Sequence, residues 1–415
     1  MRIKDFFISF LSALVQYYEY HLFGYIAAQI GRTFFPAADS ATMLFKVYAF
    51  MFIAVCAKPI GAVILGKIGD VCGRQKAISL AIFITAASSI TIGSLPGYEL
   101  SGGLGIGILL FMRMCIASCA SAGSDGVRIH IYETIAPKWK NCGAALGAVA
   151  SITGSFLASY SAWFFTLNTF AQYYWRLSLF AGSILAIIVL LLRIFIAAPD
   201  SRSMHDEKEY AQYKSMPIMS IIMGSFKIFV LCLILAGCIG ATYVFNFSFL
   251  ATYYFEVLKI VDHSLMQYYR SIGLLLYMIF ALIGGILSDL IGAKRVFIPA
   301  ALSVVGLEVI NCYLLNQNIL SISLYLTVCA LLPMVSIPSL TLLKSSVPKV
   351  IRYRIFSLCH SIGSIVISAP CSAISIFLYQ ASLLTWLPIC YFIAIMLVML
   401  LCLNALQNTQ NRDIS

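Results

Sequence analysis

Charge is what this sequence has least of. Asp, Glu, Lys and Arg make up 10% of the chain, against about 25% in an ordinary soluble domain, and that scarcity excludes a soluble enzyme. No polar stretch is long enough to hide a sizeable extramembrane domain; the longest spans 198–226. The 13 cysteines include no CxxC pair. Cys72 and Cys142 fall in basic turns and the others in apolar runs, so they read as small packing residues and not as a disulfide framework. The five histidines, at 21, 130, 205, 263 and 360, are scattered. They suggest no metal-ligand cluster and no nucleophile–base set, so no metal, cofactor or catalytic residue is expected.

What remains is 415 residues that are 61% hydrophobic, with a mean hydropathy of +0.95. A spanning helix needs roughly 20 apolar residues. Cutting the chain at its polar turns predicts an all-α membrane protein of twelve helices, at 6–30, 43–67, 77–95, 104–132, 143–167, 176–197, 227–257, 264–287, 296–314, 319–343, 355–379 and 384–406. The basic start Met1-Arg-Ile-Lys leads into a run interrupted by Glu19 and His21; it reads as a retained first span, not a cleaved signal. Most of the 27 Lys and Arg then lie on one side, which the positive-inside rule makes the cytoplasm, with both termini there. The net charge of +11 therefore speaks of orientation and lipid contact, and no nucleic-acid partner is expected. The polar stretch 198–226 is a linker between six-helix halves at 1–197 and 227–406, and 407–415 is a short cytoplasmic tail.

The two halves repeat a turn. After the second helix the chain reads Gly66-Lys-Ile-Gly-Asp70-Val-Cys-Gly73-Arg74-Gln-Lys76, and after the eighth Gly285-Ile-Leu-Ser-Asp289-Leu-Ile-Gly292-Ala-Lys294-Arg295. In each, Asp follows Gly by four, a second Gly follows by three, and basic residues come next; 289 minus 70 gives an offset of 219, close to half the chain. Related halves with the same tight turn suit a rocking transporter. Each Asp sits where it can cap the following helix and pair with neighbouring bases.

These turns make the chain resemble the major facilitator superfamily. The resemblance narrows to its metabolite:proton symporter branch, which includes proline/betaine carriers. It rests on Tyr17-Tyr-Glu19-Tyr-His-Leu-Phe-Gly24-Tyr, Phe34-Phe35-Pro36, Lys58-Pro59-Ile-Gly61, Arg113 to Glu133, Trp175-Arg176 and Val347-Pro348-x-x-Ile351-Arg352-Tyr353. Gln16 stands where the branch usually has Glu, and Gly123, with Asp125 two residues on, stands where it has a helix-four Glu. By analogy with the superfamily, Asp70, Arg74 and Glu133 form a cytoplasmic latch.

Ionisable groups inside a bilayer cost about 2.5–3.5 kcal/mol or more each, so they mark cavities or partners. Those found are Glu19, His21, Lys58, Arg113, Asp125, Arg128, His130 and Glu308. At about 100° per residue, Arg113, Ala117, Ser121, Ser124, Asp125 and Arg128 share one face of helix four, spread over roughly 120°. That face lines a cavity or makes a structural ion pair between helices, with Asp125 and Arg128 close enough to pair.

Glu19, near mid-bilayer, is the first candidate for a proton carrier, or else a structural partner of Lys58 or Arg113; Asp125 is the second. Glu308 is third, and reads more simply as a packing or hydrogen-bonding residue. Lys58, Arg113 and Arg128 are the substrate candidates, because ammonium and guanidinium groups bind carboxylates. Tyr17 and Tyr20 offer faces for a quaternary ammonium, or anchor and pack the helix. Gly143, Gly147, Ser151 and Ser155 form a small-residue stripe for close packing or gating.

The expectation is a monomeric secondary transporter of the inner membrane. It would move a small carboxylate-bearing metabolite or zwitterionic osmolyte with protons by alternating access. A transporter-fold sensor or a membrane-embedded enzyme is the alternative.

Overall fold

The computed structural model describes residues 3–35, 40–166, 171–196, 223, 226–347 and 352–412. No β-strand occurs among them. Among the described residues, eleven helices are long and apolar enough to cross a membrane. A twelfth span is α1 (Ile3–Tyr25) continued by α2 (Ala27–Phe34), whose apolar run is diluted by Gln16, Glu19 and His21. Each expected span falls on observed helix; most observed helices are the longer because the chain stays helical into the polar turns.

The second span is broken for a local reason. Pro59 lacks the N–H that would continue the helix, so α3 (Ser40–Val55) stops and α4 (Lys58–Cys72) restarts. Ser118 Oγ donates to the Ala57 carbonyl at the break (2.9 Å). Gly61 abuts the Ser118 backbone so closely that a Cβ would collide with it. Lys58-Pro59-x-Gly61 is thus a device that starts a helix hard against its neighbour with a lysine at the break.

The chain continues as α5 (Arg74–Ser94), α6 (Tyr98–Thr134), α7 (Lys140–Thr166) and α8 (Ala171–Ile196). There follow α9 (Phe226–Tyr243), with π turns at Val244–Leu250 and Tyr253–Val257, then α10 (His263–Ile291), α11 (Ala293–Asn316) and α12 (Ile322–Ser345). The last elements are α13 (Arg352–Gly363), a π turn at Ser364–Ser368, α14 (Cys371–Ser382) and α15 (Leu387–Arg412). Most of the expected linker 198–226 lies outside the described residues.

The sequence repeat is also a backbone repeat. Gly73 (φ 100°, ψ 145°) and Gly292 (φ 96°, ψ 137°) join successive helices in nearly the same conformation, one that side chains rarely adopt. Contacts gather the chain into two compact units, Met1–Thr134 with Ala150–Ser215 and Lys349–Ser361, and Ile135–Val149 with Met216–Pro348 and Ile362–Ser415.

Within the first unit, α1 packs on α6 and α8, and α5 on α6 and α8. Trp175, Phe23, Phe34 and Leu22 fill one core and Val15, Ile78, Ile82 and Val127 another. The second unit is centred on rings, Phe245 stacking on Phe392 at 4.6 Å and Phe249 on Tyr253 at 5.2 Å. Exposed Phe111, Phe195, Phe377 and Leu401 present apolar surface, which lipid tolerates and water would not.

Candidate functional site

The break at Pro59 and the close seat of Gly61 bring Lys58 to α1. Its Nζ lies 4.5 Å from the Tyr20 ring centroid. Arg113 of α6 stands against the same ring at 5.1 Å and against Phe23 at 4.7 Å, and its Nη2 donates to the Tyr20 carbonyl (2.7 Å). Arg113 is only 2% exposed, yet its Nη1 has no hydrogen-bond partner. One tyrosine therefore carries two cations, and one N–H of the pair is unsatisfied. Cation–π attraction of this kind is worth about 0.5–2 kcal/mol per contact, too little to replace a missing acceptor on a buried guanidinium.

A second group of charges lies on the next turns of α6. Asp125, fully buried, pairs with Arg128, as the three-residue spacing suggests (Oδ1 to Nη1 3.8 Å). Arg128 also stands over the Tyr17 ring (4.8 Å) and donates through Nη2 to Ser151 Oγ (3.1 Å). Between the two groups sits His21, its ring 5.4 Å from Tyr17 and 5.1 Å from Tyr20, with Nδ1 2.7 Å from Ser155 Oγ. The side chains of Ser121, Ser124 and His130 lie outside the described residues.

Three placements add to the sequence reading. Tyr17 and Tyr20 do turn their rings to cations, but the cations are the chain's own. Glu19 turns away from Lys58: its Oε2 accepts a short hydrogen bond from Ser89 of α5, and its Oε1 sits against Gly182 of α8, where a Cβ would collide with it. Ser151 and Ser155, read as part of a stripe for close packing or gating, also bond Arg128 and His21.

His360 of α13 was not singled out from the sequence, yet its Nδ1 is hydrogen-bonded to Asp125 Oδ2 (3.0 Å). The two residues are 235 positions apart, so spacing carries no sign of the contact. The only sequence clue is a histidine inside a predicted span.

The repeated turn corrects another expectation. Asp289 does not cap the helix that follows it; α11 begins at Gly292 without a side-chain cap. Its carboxylate accepts instead from Asn141 N (3.0 Å), Asn141 Nδ2 (2.8 Å) and Cys142 N (2.8 Å) at the N-terminus of α7. Gly285, one turn earlier on the same face, lets that terminus approach: a Cβ there would lie 2.8 Å from Ala145 Cβ and 3.0 Å from Asn141 O. Gly and Asp four apart thus make one seat for a helix end, whose dipole favours the carboxylate. In the matching turn Gly66 lies near the end of α4, while the side chains of Asp70, Arg74 and Glu133 lie outside the described residues.

Comparison with known proteins gives the family and the fold. The sequence model described as "Sugar (and other) transporter" matches residues 5–214, half of the chain. The chain belongs to that family. This transporter is similar to the glycine betaine/proline/ectoine/pipecolic acid transporter OusA of Dickeya dadantii, at 24% identity over 97% of this chain and 83% of the relative. It is similar to the proline/betaine transporter of Salmonella typhimurium, at 22% identity over the same shares. In structure it resembles the major facilitator superfamily proton:xylose symporter XylE bound to 6-bromo-6-deoxy-D-glucose, with a TM-score of 0.75 and 14% identity over 95% of this chain and 94% of that one. The transporter's fold is the major facilitator fold.

Proposed function

We propose that this transporter moves a small carboxylate-bearing metabolite or zwitterionic osmolyte, proline- or betaine-like or dicarboxylate-like, together with protons by alternating access. The observation that carries the substrate class is the buried Arg113, whose Nη1 lacks an acceptor beside Lys58 and Tyr20. A substrate carboxylate supplies that acceptor, and a charge-assisted bond to it is among the stronger polar interactions. Arg128 joins the site when Asp125 releases it. The relatives named for proline and betaine, and the fold neighbour named as a proton symporter, support the same reading.

The acid that couples the proton is proposed to be one of two, Glu19 or Asp125. The halves 1–197 and 227–406, joined by 198–226, are proposed to rock about the site, with both termini and the tail 407–415 in the cytoplasm of an inner-membrane monomer. The Gly285–Asp289–Gly292 turn holds the N-terminus of α7, and Gly66, Asp70, Gly73, Arg74 and Glu133 are proposed to make the matching latch in the other half. No enzymatic step is needed.

The test is uptake into proteoliposomes under an imposed pH gradient, with proline, glycine betaine and citrate as probes. The reading expects uphill accumulation of at least one, lost in Arg113→Gln. Equal accumulation with and without the gradient for all three would refute it.

A further inference from the structure

Of the two acids, Glu19 is enclosed. Its carboxyl is wedged between Ser89 and Gly182, and the residue is essentially without solvent exposure. A carrier has to meet water at some point to take up and release its proton, and of the two acids Asp125 is the one hydrogen-bonded to a partly exposed partner. The His360 side chain is 22% exposed while Asp125 is fully buried. Resting on the transport reading above, we propose that the hydrogen-bonded pair His360–Asp125 is the group that takes up and releases the coupled proton. His360 serves as its solvent-facing end and Arg128 as the link to the substrate.

The charge accounting gives the coupling. With Asp125 ionised and His360 neutral, the pair carries one negative charge and offsets Arg128 across 3.8 Å. A proton taken from water onto His360 Nε2 makes the ring a cation that still donates Nδ1–H to Asp125 Oδ2, and brings the pair to zero. The positive charge of Arg128, held over Tyr17 beside His21, is then left for an anionic group of the substrate. Proton uptake thus favours carboxylate binding, and by linkage a bound carboxylate favours proton uptake. Return of the proton to water restores the Asp125–Arg128 pair and expels the anion.

Among the described residues, few other titratable groups face this pair. On α6 it is Arg128; on α1, past Arg128, come Tyr17 and His21; α7 contributes only the hydroxyls of Ser151 and Ser155. On its own helix, Arg352 stands over Tyr132 at 5.6 Å.

The experiment compares two readouts in the same proteoliposomes of the full chain, with proline as the probe. One is accumulation driven by a pH gradient and the other is counterflow exchange, which needs no net proton movement. His360→Gln and Asp125→Asn are each expected to lower the ratio of accumulation to counterflow by about tenfold or more, while Glu99→Gln, on an exposed residue at the start of α6, keeps the parent's ratio. A His360→Gln variant with the parent's ratio overturns the proposal.

Should the parent chain carry no proline, the transport reading fails for that substrate, and the pair is decided by ¹⁵N-histidine spectra of the detergent-solubilised protein. The ring signal lost in His360→Gln must respond to pH, and that response must change in Asp125→Asn. A signal indifferent to Asp125→Asn overturns the pair.

Discussion

Two buried polar clusters, one in each unit, are built in opposite ways. In the first, Lys58, Arg113 and Arg128 are held on tyrosines with Asp125 between Arg128 and His360, and Arg113 Nη1 is left without an acceptor. In the second, Glu308 sits in a small network of neutral groups: Asn311 Nδ2 donates to Glu308 Oε2 (2.9 Å) and to Tyr254 Oη (3.2 Å). Tyr277 and Ser336 share another hydrogen bond at 3.1 Å. An unmet donor on a buried cation costs stability and is tolerated where a ligand completes it. Neutral groups bonded to one another cost little and hold helices together. The contrast teaches that the cluster around Arg113 is built to be completed by a ligand, as proposed above, while the polar groups around Glu308 complete one another.

The sharpest way to break this contrast is Arg113→Gln, which removes the unmet donor. Uptake of the best probe is expected to fall about a hundredfold, the scale of losing a charge-assisted pair, while Arg113→Lys recovers part of it. An unchanged KM for Arg113→Gln would remove the carboxylate site from the first unit.

Next in size is Asp289→Ala. It strips three acceptor bonds from the first turn of α7. Labelling of Cys142 by a membrane-impermeant thiol reagent is expected to speed up about tenfold or more, since three bonds are lost and each is worth about 1 kcal/mol. A labelling rate equal to the parent's would mean that the turn does not hold this helix end.

Glu19→Gln tests the first unit from within. With Ser89 as its partner, the neutral amide is expected to change the ratio of accumulation to counterflow by no more than about threefold, less than 1 kcal/mol. A tenfold loss would return the coupling role to Glu19.

The smallest effect belongs to the second unit. Glu308→Gln keeps a partner for Asn311, so uptake is expected to change by less than about twofold, within the range of a substitution that preserves hydrogen bonding. A loss matching that of Arg113→Gln would erase the contrast.

Much of this was legible in the sequence. Apolar run lengths place all twelve spans, because lipid imposes one length on every helix. The 219-residue repeat marks two turns that prove to share a glycine backbone conformation, and three-residue spacing on α6 pairs Asp125 with Arg128. Contacts between distant segments were not legible. Glu19 and Tyr20 are adjacent in sequence but about 100° apart around the helix. One therefore faces Ser89 and Gly182 and the other the cations, and helical periodicity does not say which faces what. In the same way, Asp289 meets a helix end 148 residues away and Asp125 a histidine 235 away. Such pairings are set by how helices pack, which local spacing does not encode.

The central claim is that a proton gradient drives this chain to accumulate a carboxylate-bearing solute. The direct measurement is uptake of labelled proline, glycine betaine and citrate by proteoliposomes holding the purified full chain, with the pH gradient imposed and then collapsed by a protonophore. The account predicts accumulation of at least one solute above its external concentration, and its release on collapse. Levels that never exceed the external concentration, or that ignore the protonophore, would contradict it.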